Sequence, residues 1–407
     1  MWQKLLDPAL RALIREGTLV LHLPDGSRRC HGDGTGPPVS VRITDPGLIG
    51  RLVRNPALAV GEGYMDGTLT VEGDDLHGLI ALGVRNLAAR NGAWWHRLAE
   101  RGRDWARVVR QFNPGWRARA NVAHHYDLSG AFYDLFLDAD RQYSCAYFAR
   151  PHMTLEEAQA AKKAHIAAKL LLRPGLRVLD IGCGWGGMAI SLAREHGVRV
   201  LGVTLSEEQH RVATERVRAA GLSERVEIRL ADYRSVEGTF DRVVSVGMFE
   251  HVGVPHYREF FCTLRERLAP DGVALVHTIG RAAPPGSTNP WIAKYIFPGG
   301  YVPALSEVMA AVERAGLWQT DVEVWRLHYA ETLRHWHARF EANLGRARAL
   351  YDERFCRMWR FYLVACEQTF RLHRQCVFQI QLARRQEAVP LTREYLYRGA
   401  AVAQAAE

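Results

Sequence analysis

Val178-Leu-Asp-Ile-Gly182-Cys-Gly184-Trp-Gly186-Gly187 is the stretch of sequence that decides the fold. Its apolar first half predicts a buried β-strand, and its glycine-rich second half predicts a tight turn that opens a helix near Met188. Glycine lets the backbone approach a ligand closely, and the first amides of a helix have no partner within the helix. The stretch therefore predicts the first strand, loop and helix of a Rossmann-like sheet, with a cofactor bound across the turn.

Residues on either side of this turn discriminate between two cofactors. The glycines alone also satisfy a dinucleotide fingerprint. Asp180 precedes the first glycine, where an anion suits a cationic amino-acid ligand and gives a pyrophosphate no advantage. The next predicted strand ends in Thr204 instead of the acid that binds a nicotinamide ribose. These residues favour S-adenosylmethionine over a dinucleotide, and a structural turn without a ligand remains a third interpretation.

Composition bounds the class of protein. The 407 residues are enough for two or three domains, and 48% hydrophobic residues is a globular composition. The first 16 residues mix charges with leucines, as an amphipathic helix does, and no apolar run reaches the length of a membrane span. Seven cysteines form no Cys-x-x-Cys pair and no zinc-binding pattern, so we expect a reduced cytoplasm and no bound metal.

The basic residues suggest a phosphate-bearing partner. The net charge is +9, and only five of the 53 basic residues are lysine. Guanidinium groups bind phosphates of lipids or nucleic acids bidentately, but a bias toward arginine without any partner explains the count equally well. Nine arginines lie among tryptophans between Arg85 and Arg119, in what we call the basic aromatic linker. It is typical of contact with an anionic membrane surface or of a solvated helical connector.

The order of predicted elements indicates the fold class. A capping box at residues 154–157 starts a helix that ends near residue 172. Predicted strands occupy residues 177–181, 198–203, 226–230, 241–247, 272–279, 319–327 and 375–384. We therefore predict an α/β fold, a seven-stranded doubly wound class I S-adenosylmethionine-dependent methyltransferase sheet with a helical insertion at residues 330–373. A leading helix and strands at residues 18–23 and 39–43, separated by a Pro/Gly-rich stretch, predict a small N-terminal α+β domain.

Polar residues follow several of these strands at the edge where such sheets bind ligands. Asp232 and Tyr233 follow the third strand, where they suit an adenine amine and ring. Glu250 follows the fourth strand and His277 ends the fifth, although a buried Glu and His are as common in structural roles as in catalytic ones. We interpret Cys145 as a structural or polar-lining residue, because transfer from a sulfonium needs no covalent enzyme intermediate.

Three further segments have alternative interpretations. Residues 61–67 are interpreted as a turn-rich packing or docking segment, and residues 289–301 as a long, irregular, aromatic lid over an apolar substrate. Aromatic residues of the helical insertion either line an acyl tunnel or form ordinary core.

Eight motifs occur in order along the chain. They are Ala123-His-His-Tyr-Asp127, Tyr143-Ser-Cys-Ala-Tyr147, Leu179-Asp-Ile-Gly-Cys-Gly-Trp-Gly-Gly187, Leu205-Ser-x-Glu-Gln209, Met248-Phe-Glu-His-Val-Gly253, His277-Thr-Ile279, Lys294-Tyr-Ile-Phe-Pro298 and Tyr329-x-x-Thr-Leu-x-x-Trp336. Together they resemble the cyclopropane-fatty-acyl-phospholipid synthases and their mycolic-acid relatives. The resemblance runs nearly end to end, and residues 61–67 resemble the lipid-engaging N-terminal domain of the full-length bacterial enzymes.

This resemblance implies an activity and a set of site residues. The methyl of S-adenosylmethionine would pass to a cis double bond of an unsaturated phospholipid acyl chain, and a bound bicarbonate ion would deprotonate the resulting carbocation as a cyclopropane ring closes. The bicarbonate ligands carry over to Cys145, Glu250, His277, Ile279 and Tyr329. The donor-binding residues carry over to Tyr143, Ser144, Gly182, Gly184, Thr204, Leu205, Gln209, Asp232 and Tyr233, in addition to Asp180.

Some outcomes and partners stay open at this point. Proton loss from a neighbouring chain carbon would give a methyl-branched or methylene acyl chain. Gly130-Ala131 stands where the family usually carries an Asn or Asp followed by an acid, which leaves the acyl-chain or lid contacts near the pocket open. A nucleic-acid methyltransferase and a catalytically silent lipid-binding module are weaker alternatives. We expect a homodimer, without a nucleic-acid partner, that is cytoplasmic and peripherally associated with the inner face of an anionic membrane. Residues 1–115 would form the lipid-interaction domain and linker, and residues 116–400 the catalytic domain.

Overall fold

A computed structural model describes residues 2–88 and 128–397. Their contacts divide them into two compact units. The first unit collects residues 2–88, 286–298 and 329–375, and the second collects residues 128–285, 299–328 and 376–397. This division differs from the single boundary predicted between residues 115 and 116. The basic aromatic linker beyond residue 88 and the motif at residues 123–127 lie outside the described residues.

The first unit contains a four-stranded sheet covered by helices, so the predicted N-terminal α+β domain is confirmed. Its strands are β1 (Thr18–His22), β2 (Arg28–Gly32), β3 (Val39–Ile43) and β4 (Leu69–Val71), in the order β2-β1-β3-β4. Its helices are Trp2–Leu13, Pro46–Arg54, Pro56–Met65, Leu76–Ala88, Pro290–Tyr295, His328–Ala342, Leu344–Leu350 and Glu353–Leu372. Strand β2 was missed because it is a largely exposed edge strand without apolar alternation.

Two sequence interpretations in this unit are wrong. Residues 61–65 are helical instead of turn-rich. Glycine serves here for packing, since the missing side chain of Gly61 leaves room for the Trp291 ring against the helix. A Cβ on Gly61 would lie 2.4 Å from the indole Nε1 of Trp291, a residue only 1% exposed. The segment predicted as an irregular lid likewise contains the helix Pro290–Tyr295, which Asn289 caps through bonds to two backbone amides.

The second unit is built on the predicted seven-stranded sheet. Its strands are β5 (Arg177–Ile181), β6 (Arg199–Thr204), β7 (Val226–Leu230), β8 (Phe240–Val246), β9 (Leu268–Arg281), β10 (Trp318–Trp325) and β11 (Gln375–Ala383), in the order β10-β11-β9-β8-β5-β6-β7. Strands β5 to β9 pair with one another in parallel, and β10 pairs with β11 antiparallel. This is the Rossmann-like order of class I methyltransferases, so the predicted fold class is confirmed.

Helices cover the sheet of the second unit and create a core on each of its faces. They are Gly130–Tyr133, Leu155–Lys169, Gly187–His196, Glu207–Ala219, Tyr257–Arg267 and Leu305–Ala315. The capping box is present, since the Thr154 hydroxyl accepts from the Glu157 amide and the Glu157 carboxylate accepts from the Thr154 amide. The helical insertion is also confirmed as helical, although all of it belongs to the first unit. In the two described ranges, no helix is long and apolar enough to cross a membrane.

Two helical glycines of the first unit give a matched test of this packing. We expect Gly61→Ala to lower the free energy of unfolding by about 1–3 kcal/mol, because the added methyl overlaps the buried Trp291 ring. We expect Gly83→Ala to raise it by about 0.5–1 kcal/mol, because nothing lies within 4 Å of the new methyl and alanine favours helix. Urea unfolding followed by tryptophan fluorescence measures both, and equal effects would contradict the close approach at Gly61.

Candidate active site

A cavity of about 160 Å³ lies in the second unit, at the carboxyl ends of the parallel strands around β5. All ten residues that the sequence predicted to bind the methyl donor line it. They are Tyr143, Ser144, Asp180, Gly182, Gly184, Thr204, Leu205, Gln209, Asp232 and Tyr233. They come from separate stretches of chain, which the sheet brings to one edge.

The glycine turn after β5 lies in this wall because its backbone is left-handed. Gly182 and Gly184 have φ angles of 80° and 54°, which residues with a side chain rarely adopt. A Cβ on Gly182 would also lie 2.8 Å from Cβ of Met248. The amides of Gly182 and Cys183 both donate to the Val203 carbonyl at 3.0 Å, which ties the turn to the end of β6.

The side chains after β6 and β7 are held by hydrogen bonds within the wall. The Thr204 hydroxyl donates to Oε1 of Gln209 at 2.9 Å, so these two predicted donor-binding residues form one unit. The carboxylate of Asp232 accepts from Nε and Nη2 of Arg234 at 2.9 and 2.6 Å. A ligand bound by Asp232 would therefore share it with Arg234, which also lines the cavity.

Asp180 is the unusual group of the cavity. Its Oδ2 is buried and has no hydrogen-bond partner in the described part of the chain. Burial raises the pKa of the Asp180 carboxyl to about 7, because water no longer stabilises the charged form. A buried carboxyl with one unused oxygen suits a ligand that carries an ammonium group, so these residues fit an amino-acid-bearing donor.

A second group of predicted residues lies next to the cavity. Glu250 belongs to the 3₁₀ turn Phe249–His251 after β8, and its Oε1 accepts from the Ile279 amide of β9 at 2.6 Å. Its Oε2 is buried without a hydrogen-bond partner among the residues described. Burial raises the pKa of Glu250 to about 7, although bonds from Ile279 and Thr278 oppose this shift.

His277 lies two residues before Ile279 on β9, so both side chains lie on the same face of the sheet. Nδ1 of His277 is 3.1 Å from Nε2 of Gln379, and the ring meets Trp325 edge-on at 5.2 Å. Burial holds the pKa of His277 well below its usual range, so the imidazole is neutral at pH 7. Its carbonyl accepts from the amide of Gly247, a cavity-lining residue.

The predicted bicarbonate ligands are only partly brought together. Glu250 contacts Ile279, His277 shares the strand of Ile279, and the buried Cys145 directly follows Ser144 of the cavity wall. None of these four residues lines the cavity itself. Tyr329 belongs to the first unit, where it packs against Trp336 and Phe370.

One atom of this group, Oε2 of Glu250, suits a small oxyanion. The unused Oε2 of Glu250 can donate a hydrogen bond to such an ion when the carboxyl is protonated, which burial favours. The Ile279 amide, however, already donates to Glu250, so an ion would share this amide.

Two cavity-lining residues, His251 and Gln142, were not among the predicted site residues. His251 lines the cavity, and burial lowers its pKa to about 4, so a neutral imidazole faces the ligand space. It stands directly beside Glu250 in a motif, which was the available indication. Gln142 also lines the cavity and accepts a hydrogen bond from the buried Lys162. No local sequence pattern predicts this contact, because the two residues are 20 positions apart.

Comparison with known proteins identifies the family. Residues 115–380 match the family model described as mycolic acid cyclopropane synthetase, which is more than half of the chain. The chain belongs to this family. Residues 8–89 match a second family model, described as a domain of unknown function (DUF7884). The protein is thus an enzyme of the S-adenosylmethionine-dependent methyltransferase and cyclopropane synthase type.

Individual relatives extend this match to most of the chain. A probable fatty acid methyltransferase of Pseudomonas putida is 38% identical over 97% of this chain and 99% of its own. The cyclopropane-fatty-acyl-phospholipid synthase of Escherichia coli K12 is 38% identical over 85% of this chain and 88% of its own. The solved structure of mycolic acid cyclopropane synthase CmaA1, complexed with SAH and CTAB, is 37% identical, with a TM-score of 0.62 over 65% of this chain and 97% of that one.

The buried Asp180 predicts a specific pH dependence of stability. Its pKa in the folded protein, about 7, lies above the unfolded value near 4, so the folded state binds the extra proton between these values. Stability of the ligand-free protein should therefore fall as pH rises from 5 to 7, by up to about 1.4 kcal/mol per pH unit from this group. Glu250 contributes in the same direction.

We expect Asp180→Asn to lose less thermal stability than the wild type between pH 5 and pH 7, because asparagine does not titrate. Thermal unfolding of the ligand-free proteins measures this difference. Glu266→Gln serves as the control, since the Glu266 side chain is 65% exposed, and its curve should run parallel to that of the wild type. Parallel curves for Asp180→Asn and the wild type would contradict a raised pKa of the buried Asp180 carboxyl.

Proposed function

We propose that this protein transfers the methyl group of S-adenosylmethionine to the cis double bond of unsaturated phospholipid acyl chains and forms cyclopropane fatty acyl chains. One observation carries the proposal. All ten predicted donor-binding residues line one cavity, and a second group of buried polar residues, centred on Glu250, lies beside it. The Escherichia coli relative, named as a cyclopropane-fatty-acyl-phospholipid synthase, supports the acceptor class.

The cavity residues account for recognition of the donor. Asp180 offers an unused carboxylate oxygen to the donor's ammonium group, and the left-handed glycine turn allows its backbone close to the ligand. Asp232 and Tyr233 suit the adenine amine and ring. When bound, S-adenosylmethionine supplies an electrophilic methyl on a sulfonium leaving group. The SAH complex of CmaA1 supports this choice of ligand.

The Glu250 group accounts for the proton loss that completes the reaction after methyl transfer. We propose that Cys145, Glu250, His277, Ile279 and Tyr329 hold bicarbonate, which supplies a base when bound. The Ile279 amide fixes one oxygen of Glu250 and leaves the other unused. His277 is neutral, so it can donate from one ring nitrogen while the other meets Gln379. Burial keeps bulk water from the reacting centre, which protects a carbocation from capture.

A direct assay tests this function. The purified protein is incubated with S-adenosylmethionine and vesicles of unsaturated phospholipid, and the acyl esters are examined by NMR. We expect cyclopropane protons. Unmodified chains in the presence of bound donor would overturn the proposal, and methyl transfer to RNA instead of lipid would support a nucleic-acid methyltransferase.

A methyl-branched or methylene acyl product is the second candidate. The probable fatty acid methyltransferase of Pseudomonas putida covers more of this chain than the Escherichia coli synthase does, at the same identity. Both products come from one carbocation, and they differ in the carbon that loses the proton. The same NMR experiment separates them, because methyl-alkene protons resonate away from cyclopropane protons.

The membrane that contains the phospholipid substrate and the oligomeric state of the protein belong to the same proposal. We also propose that the protein is a cytoplasmic homodimer that binds peripherally to an anionic membrane, and the net charge of +9 supports the membrane contact. Vesicles with and without anionic phospholipid in the assay test the surface, and sedimentation equilibrium tests the dimer.

Glu250→Gln tests the group beside the cavity. We expect turnover to fall by about 10²–10³-fold, because glutamine keeps the shape but changes the hydrogen bonding and charge around the base. Affinity for SAH should stay within about twofold, since Glu250 does not line the cavity. Glu313→Gln, on the exposed face of the helix Leu305–Ala315, is the matched control and should leave turnover unchanged. Full turnover by Glu250→Gln would contradict the proposed role.

A further inference from the structure

Lys162 is a charged residue that the proposed reaction does not use. It lies in the helix Leu155–Lys169 and has no exposed surface. Its Nζ donates to Oγ of Ser144 and to Oε1 of Gln142, each at 2.7 Å. Both acceptors line the cavity. The ammonium group therefore stands directly behind the cavity wall.

The same helix holds this part of the wall through its backbone. Nε2 of Gln159 donates to the carbonyls of Gln142 and Ser144, at 3.2 and 3.0 Å. Nζ of Lys163 lies 2.7 Å from Oδ2 of Asp140, which also accepts from Nε2 of Gln142 at 3.0 Å. One helix thus holds residues 140–144 from behind, and Lys162 contacts the side chains of two cavity-lining residues, Gln142 and Ser144.

The chemistry of an ammonium group determines the direction of these hydrogen bonds. A protonated lysine only donates, so Oγ of Ser144 must accept from it. The hydroxyl proton of Ser144 is then left for another acceptor, and none is present within the described ranges. Since Ser144 lines the cavity, this proton is available to a ligand there. Lys162 thereby makes Ser144 a hydrogen-bond donor toward the cavity.

This donor complements Asp180 on the same cavity. Asp180 presents an unused carboxylate oxygen, which suits an ammonium group. A hydroxyl donor backed by a buried cation suits a carboxylate. The wall therefore offers one group for each end of a zwitterionic amino acid, which is the part of S-adenosylmethionine that adenine nucleotides lack.

We propose that Lys162 is a positioning residue that keeps Ser144 oriented as a donor to the carboxylate of S-adenosylmethionine. This inference rests on the proposed donor site. If Lys162 lost its proton, its amine could accept from Ser144, and the hydroxyl would turn away from the ligand. Affinity for the donor should then weaken.

The surroundings of Lys162 set the pH at which its ammonium group loses a proton. Burial lowers the pKa of Lys162 to about 8. Asp138, Asp140 and the Cys145 thiol oppose this shift, and Lys163 adds to it. Neutral His277 also lies within electrostatic range. The loss of donor affinity is accordingly expected at mildly alkaline pH.

Calorimetric titration with SAH between pH 7 and pH 9.5 tests the proposal. At pH 7 we expect Lys162→Met to bind SAH about tenfold more weakly than the wild type. At pH 9.5 the two proteins should agree within about twofold, because the wild type has lost the same hydrogen bond. The amino group of SAH titrates identically for every variant, so the ratio between variants is the readout.

Two further variants keep the test decisive. Lys163→Met removes the adjacent cation but keeps Lys162, so donor affinity should still fall with rising pH, and the fall should move to higher pH because Lys163 lowers the pKa of Lys162. Ser144→Ala should match Lys162→Met at both pH values, and it stands in if Lys162→Met does not fold by circular dichroism. A constant ratio of affinities between pH 7 and pH 9.5 would overturn the role of Lys162. Absence of SAH binding by the wild type at every pH would instead overturn the donor site itself.

Discussion

The buried carboxyl of Asp180, at the end of β5, is the constraint on which the site depends. The parallel sheet excludes water from this edge, and no cation within the described ranges compensates the carboxylate. A structure that served stability alone would not retain such a group, because an unpaired buried charge lowers stability at neutral pH. A cationic ligand that pairs with the Asp180 carboxylate would compensate this buried charge. Glu250 repeats the arrangement nearby with one oxygen bonded and one unused.

Hydrogen bonds hold the segments that carry and surround the Asp180 and Glu250 carboxyls. The glycine turn is tied to β6 by two amide bonds, and the 3₁₀ turn that carries Glu250 is held by the Tyr301 amide at 2.9 Å. In another part of the wall, polar residues of the helix Leu155–Lys169 hold residues 140–144. A site whose groups are held before the ligand binds loses little free energy in ordering them. The same rigidity lets one buried lysine set the direction of one hydroxyl.

Two relatives named for different activities, a probable fatty acid methyltransferase and a cyclopropane-fatty-acyl-phospholipid synthase, are each 38% identical to this chain. Overall similarity therefore does not discriminate between the products. The chemical difference is the carbon that loses a proton, which depends on where a base lies relative to the acyl chain. Under the proposed function, the residues around Glu250 determine which carbon loses the proton.

Local patterns in the sequence determined much of this protein. All seven strands of the large sheet, the capping box and the glycine turn were predictable, because alternation, helix caps and left-handed glycines depend on neighbours in the chain. The ten residues that the motifs predict to bind the donor line one cavity. Tertiary structure alone decided the helical packing of Gly61 on Trp291, the edge strand β2, the membership of residues 286–298 and 329–375 in the first unit, and the contact of Lys162 with Ser144. Except for β2, whose exposed residues give no periodic pattern, each of these joins residues distant in sequence. Only the folded chain brings such residues within contact distance.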